Sequence, residues 1–339
     1  MNTPLLSVKD LSVIYKISMK KKGHIFKSAV PLYALNNINF DIDEGEILGI
    51  VGESGCGKST LGKSILRLLE SGHTTGSIFY KGQDLNLLNE AQLKVFRKDI
   101  QIIFQDPLAS LNPKMLIKDI IAEPLKVFYP NLTKAEVSQE VYAIMDKVGL
   151  ARSSAFRYPH EFSGGQCQRI GIARAMILKP KLLICDEAVS ALDVSIKAQI
   201  INLLQDLKNE FKMSIIFISH DLSVVKYISD NIIVLYLGFL VEKGKSEDLY
   251  LNPAHPYTEA LISSIPFFDA KDSIKRIVLK GDIPSPLDIQ VGCPFYGRCL
   301  YGQPGVCNVK RPELIPRTAT NREVACFFPL DKPLMQRNE

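Results

Sequence analysis

The stretch Gly52-Glu-Ser-Gly-Cys-Gly-Lys-Ser-Thr60 decides the fold of this chain. It fits the pattern G-x-x-x-x-G-K-[ST], in which glycines let the backbone bend so that successive amide groups can surround phosphates. Within it, Lys58 would bring a positive charge to the β- and γ-phosphates, and the Ser59 hydroxyl would bind Mg²⁺. The pattern therefore predicts nucleotide binding. The expected nucleotide contacts are Gly52, Glu53, Ser54, Gly55, Cys56, Gly57, Lys58, Ser59 and Thr60.

The segments on either side of this phosphate loop support the same interpretation. Residues 46–51 form a short apolar run that suits a buried strand, and residues 61–69 have a helical pattern. The N-terminus of that helix would direct its positive dipole at the phosphates. The alternative, a glycine-rich turn before an ordinary helix, is disfavoured by the order strand, loop, helix.

The overall composition is that of a soluble globular protein. The chain has 339 residues, 46% of them hydrophobic and 23% charged, with a net charge of +5. This length allows one large domain with an appendage, or two domains. The basic run Lys20-Lys21-Lys22 is too short to indicate nucleic-acid binding and is typical of a solvated loop. The longest apolar stretch, residues 232–241, is too short to span a bilayer and contains Gly238, so we expect a buried strand there.

The N-terminus lacks the charged-then-apolar order of a signal peptide. We therefore expect a cytoplasmic chain that reaches the membrane only through a partner.

Strand-like and helix-like segments alternate along the first 265 residues. This alternation predicts an α/β domain with a mainly parallel sheet and a ligand beyond the carboxyl ends of its strands. Residues from about 110 to 160 lack strand signals and indicate a helical subdomain inserted in that domain. The predicted strands are 7–15, 35–42, 47–51, 100–104, 181–185, 214–219 and 232–236, and the predicted helices are 58–69, 134–148, 166–178 and 196–210.

The composition changes after residue 265. Residues 266–339 hold nine of the nineteen prolines and four of the seven cysteines, with little helical periodicity. We therefore predict a domain from residue 1 to residue 265 and a loop-rich C-terminal extension over residues 266–339.

Two carboxylates follow the apolar run at residues 182–185. In a phosphate-loop protein the first of them, Asp186, would hold Mg²⁺ through water. The second, Glu187, would then lie near the γ-phosphate and orient or deprotonate the attacking water. An Asp-Glu pair after a strand can also begin a helix, but the phosphate loop favours the catalytic interpretation.

A second anion-binding pattern is present at Ser163-Gly164-Gly165-Gln166. Ser163 is a natural N-cap, and the two glycines leave amide groups free at the N-terminus of a predicted helix. One self-contained site does not readily need two such loops. Two chains that each offer this loop to the other's nucleotide would explain the pattern.

Together these motifs resemble the ATP-binding cassette family in type and order. The resemblance assigns Gln105 to the glutamine loop, which senses Mg²⁺, and residues 163–166 to the signature. It assigns Ser190-Ala-Leu-Asp193 to the D-loop, with Asp193 near the nucleotide, and makes His220 the switch histidine at the γ-phosphate. The usual Leu before the signature is Phe162, an apolar exchange that should keep the loop. Tyr15 best matches the aromatic residue that stacks on adenine; an apparent insertion over residues 16–31 leaves Tyr33 as a second candidate.

Longer stretches resemble the ATPase subunits of oligopeptide and dipeptide importers. They are Phe104-Gln-Asp-Pro-Leu-Ala-Ser-Leu-Asn-Pro113, Arg157-Tyr-Pro-His-Glu-Phe-Ser-Gly-Gly-Gln166, Ser190-Ala-Leu-Asp-Val-Ser-Ile196, His255-Pro-Tyr-Thr258 and Gly281-Asp-Ile-Pro-Ser-Pro286. This resemblance implies ATP hydrolysis coupled to transport at the cytoplasmic face of the membrane. The implied partners are a second ATPase subunit, two transmembrane permeases and an extracytoplasmic substrate-binding protein. Relatives in this subgroup also import nickel, glutathione or opines, and a soluble cassette ATPase without a transporter is the further alternative.

Four cysteines lie in the C-terminal extension with the spacing C-x5-C-x7-C-x18-C: Cys293, Cys299, Cys307 and Cys326. The cytoplasm keeps thiols reduced, so a metal site is favoured over disulfides. The residues alone suit zinc, an iron–sulfur cluster or free thiols. The resemblance to peptide-importer ATPases implies a [4Fe–4S] cluster. Such a cluster is expected to stabilise this segment, which has little hydrophobic core of its own. Cys56, Cys167 and Cys185 are expected to be packing residues.

Overall fold

The structure, a computed structural model, describes residues 3–20, 27–265, 276–287, 291–317 and 322–330. It consists of two compact units, in which the first comprises residues 1–42, 48–86 and 220–339 and the second comprises residues 43–47 and 87–219. The described residues beyond 265 fall in the first unit, and the predicted boundary at residue 265 stays a prediction.

Twelve strands are present in the described part of the chain. They are β1 Leu6–Lys20, β2 Lys27–Ile42, β3 Ile47–Val51, β4 His73–Tyr80, β5 Gln83–Asp84, β6 Ile100–Ile103, β7 Leu182–Asp186, β8 Ser214–Ile218, β9 Asn231–Tyr236, β10 Phe239–Lys245, β11 Ile315–Pro316 and β12 Glu323–Val324.

Nine α-helices accompany these strands over the same described residues. They are α1 Lys58–Ile65, α2 Glu90–Asp99, α3 Ile117–Phe128, α4 Lys134–Lys147, α5 Gly164–Met176, α6 Val194–Phe211, α7 Leu222–Ile228, α8 Ser246–Leu251 and α9 Pro256–Ser263.

In the first unit, β1, β2, β4 and β5 form an antiparallel sheet in the order β2-β1-β4-β5. β1 and β2 pair from Leu6↔Ile42 out to Lys20↔Lys27. The residues of the expected insertion that the structure describes therefore extend a β-hairpin. Elsewhere in this unit β3 pairs in parallel with β9, and β9 pairs antiparallel with β10.

The apolar run over residues 232–241 forms two strands, so the expectation of one buried strand was wrong. Leu237 and Gly238 adopt left-handed φ angles of 46° and 80° and turn the chain back, so that Phe239 pairs with Tyr236. Both strands are largely buried, which explains why hydrophobicity alone did not reveal the turn. The short strand β12 adds to the far side of β10 and thereby joins the C-terminal extension to this sheet.

In the second unit, β6, β7 and β8 are parallel neighbours, with Ile103 opposite Cys185 and Cys185 opposite Phe217. Every residue of β7 and β8 is buried, as expected for a parallel sheet whose two faces are covered. Helix α5 packs against α3, α6 and β6. Residues 110–160 hold α3, α4 and two short 3₁₀ turns.

None of the helices in the described ranges combines the length and the apolar character needed to cross a bilayer.

Candidate functional site

The phosphate loop joins the buried strand β3 to helix α1 in the first unit. Gly57 is the N-cap of α1 and has a φ angle of 105°, which side-chain-bearing residues rarely adopt. A Cβ atom there would lie 2.5 Å from the carbonyl oxygen of Ala34 on β2. Both constraints require glycine at this position, in agreement with the motif. The first turn of α1 contains no acidic residue, so its amide groups face the loop without a competing negative charge.

The lysine of the loop is folded across the loop itself. Its side-chain nitrogen Nζ donates hydrogen bonds to the carbonyl oxygens of Gly52 and Glu53, at 2.7 and 3.0 Å. Lys58 is 4% exposed, and Cys56 beside it is also buried. Burial raises the pKa of the Cys56 thiol, so Cys56 is a neutral packing residue here. The loop thus concentrates one buried positive charge where phosphates are expected, while Ser54 and Gly55 are exposed and Ser59 and Thr60 are half-buried.

Two residues that the sequence analysis did not single out also contact the loop. Arg298 forms an ion pair with the carboxylate of Glu53. The backbone amide of Glu53 donates a hydrogen bond to the Tyr257 hydroxyl. Arg298 lies 245 positions along the chain from Glu53 and belongs to no nucleotide motif. Tyr257 lies in the stretch His255-Pro-Tyr-Thr258, which resembles importer ATPases without indicating this contact.

In the second unit the two predicted catalytic elements meet at the carboxyl ends of β6 and β7. The Gln105 side-chain amide donates a hydrogen bond of 2.9 Å to the Glu187 carboxylate. Because Ile103 is paired with Cys185, the residues that follow each strand emerge side by side. Asp186 ends β7 and is 3% exposed, whereas Glu187 is half-buried.

Glu187 has a left-handed φ angle of 50°, an unusual conformation for a residue with a side chain. Its amide donates to the Ile218 carbonyl at 3.0 Å, and its own carbonyl accepts from the Ser190 amide and hydroxyl at 3.1 and 2.9 Å. These bonds hold the strained backbone in place. The catalytic role of Glu187 stays a prediction, which rests on its position directly after Asp186 and on its bond to Gln105.

The predicted signature begins helix α5, and Ser163 is its N-cap. The Ser163 hydroxyl accepts from the Gln166 amide at 3.4 Å, while the Ser163 amide donates to Oε1 of Gln166 at 3.0 Å. This reciprocal capping box fixes the turn and keeps the helix N-terminus ordered. Ser163, Gly164 and Gln166 are exposed, so this loop is accessible to an anion or to a partner chain.

The signature is packed against the start of α6, which follows the predicted D-loop. A Cβ atom on Gly165 would lie 2.6 Å from Cγ2 of Ile196. Asp193 is the N-cap of α6, and its carboxylate accepts from the Ile196 amide at 3.0 Å and from the Ser195 hydroxyl at 2.8 Å. These bonds lower the pKa of Asp193, so its carboxylate stays ionised. The structure therefore joins the signature and the D-loop.

The remaining predicted nucleotide contacts, His220 and Tyr15, lie in the first unit. His220 is exposed and immediately precedes Asp221, the N-cap of α7. Tyr15 is half-buried on β1 opposite Leu32, and its ring lies against Gly72. Tyr33, the second adenine candidate, is also half-buried and pairs with Ile14. Their roles at the nucleotide stay predictions.

The four cysteines of the C-terminal extension line one cavity. Cys293, Cys299, Cys307 and Cys326 share its wall with aromatic residues that include Phe295 and Phe328. Burial first, and then the neighbouring thiols, raise the pKa of Cys293 to about 11 and that of Cys326 to about 12. Across the described ranges, no three His, Cys, Asp or Glu side chains come together tightly enough to hold a single metal ion. The cavity is therefore a set of four converging thiols rather than a formed single-ion site.

Two family matches cover most of the chain. Residues 35–190 match the family described as ABC transporter. Residues 241–307 match the family described as oligopeptide/dipeptide transporter, C-terminal region.

Curated relatives align with the chain over nearly its whole length. The oligopeptide transport ATP-binding protein OppF of Haemophilus influenzae is 50% identical over 327 residues, which is 95% of this chain and 96% of the relative. The oligopeptide transport ATP-binding protein AppF of Bacillus subtilis is 47% identical over 327 residues, 96% of this chain and 97% of the relative.

Solved structures share the fold. The dimeric ATP-binding cassette MJ0796, in a post-hydrolysis state bound to ADP and Pi, aligns with a TM-score of 0.62 at 28% identity, over 71% of this chain and 98% of that chain. The protein cbiO1 of Clostridium perfringens, part of an ABC transporter complex, aligns with a TM-score of 0.61 at 25% identity, over 74% of this chain and 91% of that chain.

Proposed function

The chain belongs to the ABC transporter ATPases, and we propose that it is the ATP-hydrolysing subunit of an importer for oligopeptides or dipeptides. The observation that carries the hydrolytic role is the contact between Gln105 and Glu187 at the end of β7, directly after the buried carboxylate of Asp186. The match of residues 241–307 to the C-terminal region of oligopeptide and dipeptide transporters supports the peptide cargo.

The buried charge of Lys58 would bind the β- and γ-phosphates, and the loop amides would surround them. Ser59 and Asp186 are the residues that would hold Mg²⁺, with Gln105 as the third, and oxygen donors of this kind suit that ion. When bound, Mg²⁺ would neutralise the negative charge that develops on the phosphate oxygens during hydrolysis. Glu187 would accept a proton from the attacking water while Gln105 orients its carboxylate.

A complete site would need two cassettes. The exposed loop Ser163–Gln166 would face the phosphates held by a second ATPase subunit, and Asp193 and His220 would complete the contacts at that junction. The dimeric arrangement of the cassette MJ0796 is consistent with this proposal. Since importers of this kind usually carry two different ATPases, the second subunit is expected to be a related but distinct chain.

The other proposed partners are two transmembrane permeases and an extracytoplasmic substrate-binding protein. The helical region that contains α3 and α4 would receive a helix of a permease and convert closure of the cassettes into movement of the transport path. The protein would then lie at the cytoplasmic face of the membrane as a peripheral subunit.

For the cysteine cavity we propose a [4Fe–4S] cluster held by Cys293, Cys299, Cys307 and Cys326. Its support is the donor set: four thiols and mostly apolar neighbours around one cavity. Each thiolate of such a cluster binds a different iron, so the sulfur atoms need not approach as closely as the ligands of one zinc ion. A cluster would add rigidity to a segment whose described part has little regular structure. A zinc ion remains the alternative.

Reconstitution tests the transport proposal. The chain should co-purify with two hydrophobic subunits, and the complex in liposomes should hydrolyse ATP faster when its binding protein carries short peptides. Stimulation by nickel, glutathione or an opine instead of peptides would assign the cargo of a different member of this subgroup. ATP hydrolysis by a chain that never associates with membrane subunits would favour a soluble cassette ATPase.

A further inference from the structure

Glu53, the second residue of the phosphate loop, is held through three of its groups. Its carboxylate accepts hydrogen bonds from both terminal nitrogens of Arg298, with Nη1–Oε2 and Nη2–Oε1 distances of 2.6 and 3.0 Å. Its amide donates to the Tyr257 hydroxyl at 2.8 Å, and its carbonyl accepts from Nζ of Lys58 at 3.0 Å. One residue therefore links the phosphate-binding lysine to the C-terminal extension.

The ion pair is two-pronged and largely shielded from water. The side chains of Arg298 and Glu53 are 8% and 23% exposed. The guanidinium group also lies 6.0 Å from the ring centre of Tyr236. A planar guanidinium that makes two parallel bonds to a carboxylate is among the stronger pairings in proteins, and it fixes orientation as well as distance.

An aromatic cluster at the end of β9 and the start of α9 anchors Arg298. Phe295, three residues before Arg298, is 1% exposed. Its ring lies edge-on to Tyr236, with ring centres 5.2 Å apart, and tilted to Tyr257 at 5.4 Å. Because Phe295 packs against Tyr236 on β9 and Tyr257 on α9, the backbone that carries Arg298 is held by buried contacts with regular elements.

We propose that Arg298 is a positioning residue for nucleotide binding, through which the C-terminal extension sets the conformation and charge of the phosphate loop. The proposal rests on the role of that loop as the nucleotide site. Without Arg298 the Glu53 carboxylate would keep an uncompensated negative charge beside the phosphates. It would also be free to attract the amine of Lys58, whose Nζ already bonds to the Glu53 carbonyl. Both effects oppose the binding of an anion.

A double-mutant cycle with the full-length chain tests this mechanism. The affinity for MgADP, which is not hydrolysed, is measured by calorimetry for the wild type, Arg298→Gln, Glu53→Gln and the double variant. We expect Arg298→Gln to weaken binding about tenfold, which is within the usual range of coupling between linked sites. Because Glu53→Gln removes the charge that Arg298 neutralises, adding Arg298→Gln to it should change the affinity little. Arg298→Lys keeps the charge and should restore part of the affinity.

Arg322 provides the matched control. It is also a buried arginine of the extension, 8% exposed, but its guanidinium lies near Glu242 and bonds to the backbone carbonyls of Asp248 and Asn252. Arg322→Gln should lower the melting temperature without weakening MgADP binding. If Arg298→Gln fails to fold, Glu53→Gln and Arg298→Lys break or weaken the same pair and keep the cycle informative.

The outcomes separate this proposal from the proposed function. A wild-type chain that does not bind MgADP would overturn the nucleotide site itself. A wild-type chain that binds MgADP, with unchanged affinity in Arg298→Gln, would overturn only the positioning role. If Arg298→Gln lowers the MgADP affinity equally in the wild type and in the Glu53→Gln variant, the positioning role is also overturned. Arg298 would then act independently of the phosphate loop.

Discussion

The Gln105 side chain donates its amide proton to the Glu187 carboxylate, and this bond joins the ends of two adjacent parallel strands. The contact connects the residue expected to sense Mg²⁺ with the residue expected to activate water. The backbone of Glu187 is fixed separately by bonds to Ile218 and Ser190, and the bond from Gln105 positions its carboxylate.

Glu187→Gln should lower ATP hydrolysis by ~100-fold or more while nucleotide binding is kept, because general-base assistance is typically of that size. Turnover is measured in the assembled complex, and binding in the chain alone. Glu90→Gln, at an exposed glutamate of α2 in the same unit, is the control and should leave turnover unchanged. Near-normal hydrolysis by Glu187→Gln would contradict the assignment.

Lys58→Ala should weaken nucleotide binding itself. It removes the one buried positive charge of the loop, together with the bonds from Nζ to the Gly52 and Glu53 carbonyls. A fluorescent ATP analogue reports the affinity, and Lys63→Ala, which removes a lysine from the last turn of the same helix, is the control. Equal affinities for the two variants would count against the loop as the phosphate site.

Gly165→Ala should destabilise the second unit by about 1–3 kcal/mol, the usual effect of overpacking. The added methyl group would lie 2.6 Å from Ile196 and displace the signature from the start of α6. Gly171→Ala in the same helix has open space around its Cβ position and gains helix propensity, so it should be neutral or stabilising. Urea unfolding compares the two variants; similar losses in both would show that the contact with Ile196 is not the cause.

The cysteine cavity should give a visible readout. Protein prepared without oxygen is expected to be brown, to absorb near ~400 nm and to contain about four irons per chain. Replacing any one of Cys293, Cys299, Cys307 and Cys326 by serine should abolish the brown colour and the absorption. Cys167→Ser, at a buried cysteine of α5, should leave both unchanged. One zinc and no iron would replace the cluster with a zinc site. Metal-free protein with an equally protease-resistant extension would refute the stapling role.

His255 should make the stability of the chain depend on pH. Burial lowers its pKa from 6.5 to about 3, and its Nδ1 atom accepts the Tyr257 amide proton at 3.1 Å. Below pH 6.5 the unfolded chain therefore binds a proton that the folded chain does not. Above that pH the contribution of His255 to the free energy of unfolding is unaffected by protonation. Below it, the free energy of unfolding should fall by roughly 1.4 kcal/mol per pH unit as the pH drops toward about 3.

His255→Asn isolates this contribution, because asparagine can still cap α9 and does not titrate. Between pH 7.5 and pH 5.5, as measured by urea unfolding, the variant should lose about 1.4 kcal/mol less than the wild type. Burial raises the pKa of the neighbouring Glu242, which acts in the opposite direction, but that residue is present in both proteins. The same pH dependence in both would contradict the prediction.

The phosphate loop and the strand-end carboxylates were predictable because each is encoded within a few adjacent residues. Gly57 requires glycine because of its local φ angle, and Asp186 is the last of five consecutive buried residues. Helices α4 and α5 were found within a few residues for the same reason, since each begins at a local capping box.

The parts that were missed depend on tertiary structure. The hydrophobic pattern of β4 does not alternate regularly, and this segment is a strand through its pairing with β1 and β5. β10 is separated from β9 by a two-residue turn within one apolar run. The unusual φ angle of Glu187 left no trace in the sequence, because glutamate has no preference for it. The contact between Arg298 and Glu53 joins residues too far apart for any local pattern to reveal it.

The ion pair between Arg298 and Glu53 forms late during synthesis of the chain, because its two residues lie far apart in the sequence. The loop leaves the ribosome 245 residues before the arginine that holds it. At about 5–20 residues per second, the nascent cassette spends about 12–50 s without this restraint. An incomplete chain that ends before Arg298 therefore carries the phosphate-loop motif without this ion pair, and the restraint on Glu53 forms only after Arg298 has left the ribosome.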